Sequence, residues 1–163
     1  MGVVSPLGVG IESMWTRLTA GQSGLRRIPE AVVPDIEAKV GGLVPAREDD
    51  PHGFDLAAAV EVKDRKKMDR FIQFALDAAR QATLQAGWNP QEEGPRLRTA
   101  TIIASGIGRL HSLVEAVRTV DAKGSGRLSP FTVPSFLVNL AAGHVSIRHG
   151  FAGPLGAPAT ACA

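Results

Sequence analysis

The sequence predicts an α/β layer fold, and three stretches carry that prediction. The segment "DRKKMDRFIQFALDAARQATLQAG" has apolar residues at helical spacing, "RTATIIASGIG" reads as a buried strand running into a glycine-flanked turn, and "LHSLVEAVRTV" returns to helical spacing. Helices that alternate with strands bury their apolar faces best by packing in layers.

Taken in order, Ile11, Met14, Trp15 and Leu18 fall at i, i+3, i+4 and i+7, with Gly21 placed to end a first helix. Residues 22–60 are broken by Pro29, Pro34, Pro45 and Pro51, by Gly41-Gly42 and by the acidic "EDDPHG". They read as irregular, with a short strand near "KVGGLV". The strongest helical stripe follows: Met68, Phe71, Ile72, Ala75, Leu76, Ala79, Ala82 and Ala86, stopped by Gly87. Its alanine-rich face implies close packing. A strand is expected from Thr99 to Ala104, then a helix with Leu110, Leu113, Val114 and Val117 on one face. After the Gly/Ser loop "KGSGRLSP", one further helix is expected to start at Pro134, with Leu137, Leu140, Ala141, His144 and Val145 on one side. A turn and a short extended segment lead into Thr160-Ala161-Cys162.

At 163 residues and 44% hydrophobic content, the chain can build one domain with a core. Eighteen Lys and Arg against 16 Asp and Glu leave +2, too small a surplus to argue for nucleic acid or membrane. No basic stripe with interleaved aromatics occurs, which also argues against nucleic acid. There is no run of 18 apolar residues, and "MGVVSPLGVG" lacks the basic and apolar regions of a signal peptide. With a single cysteine no internal disulfide can form, so a reducing, cytoplasmic setting is expected. His52, His111, His144 and His149 show no ligand-like pairing, so no metal is expected. His144, on an apolar helix face, reads as a hydrogen-bonded core histidine.

Two features carry chemistry, each with a plain alternative. Cys162 follows the small residues "APATA". It is either a packing residue or a nucleophile whose thiolate a following helix N-terminus would favour. The cluster "VKDRKKMDR" holds Lys63, Lys66 and Lys67, and "GSGRLSP" holds Arg127. On charge pattern alone this is either a solvated helix start or a docking patch for an acidic partner.

The ordered motifs "VVSPLGVGIESMWTRLTAGQSGLRRI", "KKMDRFIQFALDAARQA", "SGIG", "LSPFTVPSFLVNLAAGH" and "GP…TAC" resemble the N-terminal half of the β-ketoacyl-acyl-carrier-protein synthases of the elongating type. The resemblance covers nearly the whole chain. It implies a thiolase-like fold, of which residues 1–163 would form a partial N-terminal domain. The family's first strand would precede Met1, and the C-terminal half, with two catalytic histidines, would follow Cys162.

What the resemblance implies chemically is a decarboxylative Claisen condensation of an acyl thioester with malonyl-acyl carrier protein, in fatty acid or polyketide chain elongation, without metal or organic cofactor. Cys162 would accept the acyl group, and Lys63, Lys66, Lys67 and Arg127 would contact acyl carrier protein. Ile107 and Phe131 would lie near the acyl channel, where their plain alternative is core packing. A homodimer is implied as well, with "SPFTVPSFLVNL" contributing to its interface. Without the two histidines the chain alone is expected not to condense, and the rival reading is a non-catalytic piece that binds carrier or a partner chain. Thr132 stands where many members carry a second aromatic, and Gly156 and Pro158 stand where a buried strand prefers β-branched residues.

Overall fold

The computed structural model describes residues 1–30, 32, 37–108 and 110–159. The chain forms two compact units, one from Met1–Leu56 with Asp77–Ala86 and the other from Ala57–Leu76 with Gly87–Ala163.

In the first unit β1 (Val4–Ser5) and β2 (Gly8–Val9) pair antiparallel as a short hairpin. Ser5 holds its turn, donating from Oγ to the Gly8 carbonyl and accepting from the Leu7 N–H. Helix α1 (Ile11–Thr19) forms where the spacing places it. Its apolar stripe is left open, however: Trp15 is 59% and Leu18 50% exposed. β3 (Arg26–Arg27) pairs antiparallel with β4 (Val40–Gly41), the strand expected at "KVGGLV". A two-residue strand of arginines has no apolar alternation to betray it.

Helix α2 (Leu56–Ala59) and a 3₁₀ turn at Arg65–Lys67 lead to α3 (Arg70–Ala86), which Gly87 closes with φ +60°. Ile72 and Leu76 are fully buried, as the stripe requires. The alanine face is less buried than expected, because Gln73 and Asp77 are buried beside those two residues. Buried polar groups are tolerated when hydrogen-bonded. Gln73 Nε2 donates to the Met68 carbonyl at 3.0 Å, and Asp77 accepts from Arg80 at 2.7 Å and Gln81 at 2.9 Å.

In the second unit α4 (Glu93–Leu97) precedes β5 (Thr101–Ile102), which is shorter than the strand expected over 99–104. α5 (Leu110–Lys123), a 3₁₀ turn at Ser125–Arg127, α6 (Thr132–Phe136), α7 (Leu140–His149) and β6 (Leu155–Gly156) follow. β5 and β6 are parallel, in the register Thr101 opposite Leu155, and backbone hydrogen bonds extend from Thr101 to Ser105. Ile102 is 67% exposed, so the strand is not buried on both faces. Its one paired neighbour among the described residues is β6.

The single helix expected from Pro134 is two. Leu137 is extended (φ −64°, ψ 136°) between α6, which contains Pro134, and α7. α6 packs on α5 and on the turn at Arg65–Lys67, whereas α7 packs on β5 and β6, and a straight rod cannot serve both directions. Ala141 and Ala142 are fully buried and Val145 nearly so, small enough for α7 to lie close on the strands. His144 is only half-buried and has no ring hydrogen bond among the described residues, contrary to the expectation for a core histidine. Burial, and then Arg148, push its pKa down.

Candidate functional site

Within the second unit a cavity of about 490 Å³ opens between α5, α6 and the two 3₁₀ turns. The wall from α5 consists of Ser112, Glu115, Ala116 and Thr119, spaced i, i+3, i+4 and i+7. The opposite, apolar stripe expected to be the packing face is exposed, with Leu110 at 58% and Val117 at 53%. Facing the α5 wall are Ser129, Phe131, Thr132 and Ser135. Arg65, Lys66 and Arg127 place three positive charges on the lining against the one carboxylate of Glu115.

The cations differ in how far they are already engaged. Lys63 lies outside the lining, its Nζ 2.8 Å from Glu61 Oε2 with both side chains exposed. The hydrogen bond to Glu61 raises the Lys63 pKa. Lys67 Nζ donates to Asp64 Oδ1 at 2.7 Å, and that bond pulls the Asp64 carboxyl below its ordinary value. Arg65 Nε donates to the Val60 carbonyl at 3.1 Å. Lys66 and Arg127 are exposed, and no carboxylate among the described residues pairs with either. They are the cations most available to an incoming anion.

Phe131 precedes α6, its N–H donating to Ser129 Oγ at 3.2 Å, and its ring lines the cavity. Lys67 Nζ stands 5.7 Å from the ring centroid. Ile107, by contrast, does not line the cavity and is 69% exposed in the turn before α5. That turn is tightly held against the end of α6. Gly108 has φ +75°, and a Cβ there would come within 2.2 Å of the Phe136 carbonyl oxygen. The structure therefore brings Lys66, Arg127 and Phe131 to one cavity, with Lys67 against its aromatic wall.

Sequence reasoning did not single out Arg65, Ser112, Glu115 or Thr119. The last three share a helical spacing that could have revealed a second, polar face of α5. Cys162 lies outside the described residues. The described residues contain no cluster of three metal-ligating side chains and no helix long and apolar enough to cross a membrane. A hollow of about 600 Å³ in the first unit is lined by Arg17, Asp50, Arg26 and His52. Its Arg17 and Asp50 already satisfy each other.

Residues 1–163 match the model of the β-ketoacyl synthase N-terminal domain. The chain belongs to the β-ketoacyl synthase family. Within that family it is 42% identical to the 3-oxoacyl-[acyl-carrier-protein] synthase 2 of Rhizobium meliloti (strain 1021), over 99% of this chain and 38% of that protein. It thus spans under two-fifths of that curated relative. Among solved structures it superposes on the ishigamide ketosynthase/chain length factor with TM-score 0.77, at 24% identity over 96% of this chain and 41% of that one. It also superposes on AntDE:AntF, a type II PKS acyl-carrier protein in complex with its ketosynthase, with TM-score 0.65, at 14% identity over 98% of this chain and 40% of that one. The fold is the N-terminal part of the thiolase-like ketosynthase architecture.

Proposed function

We propose that this β-ketoacyl synthase segment receives an acyl group from acyl carrier protein and holds it for decarboxylative Claisen condensation in fatty-acid chain elongation. In that reaction the Cys162 thiolate attacks the carbonyl carbon of the acyl thioester, and the carrier thiolate leaves. Malonyl-carrier loses CO₂, its carbanion attacks the Cys162 thioester, the new C–C bond forms, and the Cys162 thiolate departs. The full cycle belongs to the whole enzyme. Carrier docking, a cytoplasmic setting and a homodimer built in part from the segment "SPFTVPSFLVNL" belong to the same reading.

The observation that carries this reading is the cavity, with Lys66 and Arg127 at its lining, neither paired with a carboxylate among the described residues, and Phe131 on its wall. Positive charge there steers an acidic carrier, while an aromatic wall suits an acyl chain. Lys63 and Lys67 join the docking patch by exchanging Glu61 and Asp64 for carboxylates of the carrier.

The test is titration of the chain with unacylated acyl carrier protein at low and at physiological salt. Reversing Lys66 and Arg127 to glutamate lowers affinity at least about tenfold, and added salt weakens the wild-type complex. Unchanged affinity in the double reversal would remove the docking role. Rapid, selective labelling of Cys162 by a thiol reagent, against a free-thiol control, tests the nucleophile separately.

A further inference from the structure

We infer that Lys67 is a positioning residue for Phe131 and thereby sets how well the cavity accepts an acyl chain. The inference rests on the carrier-docking reading above and goes beyond it by separating Lys67 from the other basic residues. Lys67 Nζ is shared by two partners, the Asp64 carboxylate at 2.7 Å and the face of the Phe131 ring, 5.7 Å from its centroid. Its side chain is 39% exposed and that of Asp64 26%, so this pair is less solvated than Lys63 with Glu61, at 74% and 71%. The 3₁₀ turn that carries Lys67 packs directly on α6, and Phe131 is the residue immediately before α6.

One of these two contacts anchors the ammonium, and the other partner is free to change rotamer. Asp64 is fixed in the same short turn, only three residues away. Phe131 is 43% exposed, and its ring can swing about χ1. An ammonium tethered by a carboxylate and facing an aromatic ring holds that ring by its quadrupole. Lys66 and Arg127, which have no such tether among the described residues, contribute long-range attraction that is indifferent to what the carrier bears. Lys67 instead acts through Phe131, on the part of the cavity that meets apolar ligand. Docking that draws Lys67 from Asp64 also alters its hold on Phe131, so carrier contact and acyl accommodation are coupled through one ammonium.

The test compares the affinity of the chain for unacylated acyl carrier protein and for the same carrier bearing a medium-length saturated acyl chain. The ratio of the two dissociation constants is the readout, taken for wild type, Lys67→Gln, Lys67→Arg, Phe131→Leu and the Lys67→Gln/Phe131→Leu double variant. Lys67→Gln shifts the ratio by about threefold, Lys67→Arg keeps the wild-type ratio, and the double variant matches Phe131→Leu alone. An equal loss of affinity for both carriers in Lys67→Gln overturns the inference and leaves Lys67 a simple docking cation. Persistence of the Lys67→Gln shift in the Phe131→Leu background overturns it as well. Failure of wild type to bind either carrier overturns the docking reading and this inference with it. Independently of any carrier, the Lys67 ε-methylene protons show an upfield ring-current shift that Phe131→Leu abolishes, and its absence in wild type overturns the geometry.

Discussion

Arg17 and Asp50 form a two-pronged ion pair in the first unit, Nη1 to Oδ2 at 2.6 Å and Nη2 to Oδ1 at 2.8 Å. The pair ties α1 to the loop that follows β4, and both partners have a further bond. Arg17 Nη1 donates to the Leu7 carbonyl at 3.1 Å, and Asp50 Oδ1 accepts the His52 N–H at 2.8 Å. A fork-to-fork guanidinium–carboxylate contact is the strongest geometry available to such a pair.

The hydrogen bonds from Arg17, then that from His52, hold the Asp50 carboxyl far below the ordinary carboxylate range. A carboxyl with a depressed folded-state pKa stabilises above its unfolded value, about 3.9, and loses that contribution as pH falls below it. Thermal unfolding of the wild-type chain followed from pH 6 to pH 2 therefore shows a falling Tm over the acid part of the range. In Asp50→Asn the Tm is lower at pH 6 and this portion of the slope is reduced. An identical slope in the variant would show that other carboxyls govern the acid limb.

Leu76 is fully buried on α3, while Leu84, on the same helix, is 75% exposed. Leu76→Ala costs about 2–5 kcal/mol, the transfer term plus a residual cavity. Leu84→Ala stays within about 0.5 kcal/mol. Urea unfolding monitored by circular dichroism measures both, and comparable costs would contradict the burial assignment.

Two glycines of the second unit respond in opposite senses to alanine. Gly108→Ala meets both a left-handed backbone and the Phe136 carbonyl, and destabilises by more than about 1 kcal/mol. Gly143 lies inside α7, where an added Cβ has, among the described residues, no neighbour within 4 Å beyond the adjoining residues and the helix's own backbone. Gly143→Ala stabilises by about 0.5–1 kcal/mol. Chemical denaturation of the two variants checks the pair, and the sign of each shift is the result that matters.

Much of the helical content is legible in the sequence, because apolar spacing of 3.6 needs no knowledge of the partner. α1, α3 and α5 lie where their stripes put them, and Gly87 ends α3 with the positive φ that stop requires. The stripes did not say which face would be covered. Leu110, Leu113, Val114 and Val117 are exposed, and the polar face of the same helix lines the cavity. The break at Leu137 was illegible for a related reason, since nothing local forbids a continuous helix there. It arises because α6 and α7 answer to different neighbours.

The family motifs singled out Lys66, Lys67, Arg127 and Phe131 before any geometry was known, and sequence alone determined that these residue types are present in that order. Only the tertiary structure decided their relations. It paired Lys63 and Lys67 with carboxylates, left Lys66 and Arg127 without one among the described residues, and set Lys67 over Phe131, far along the chain from it. Local spacing is governed by backbone geometry that each segment carries with it. The pairing of a charge depends on which distant segment folds against it, and no short stretch of sequence contains that information.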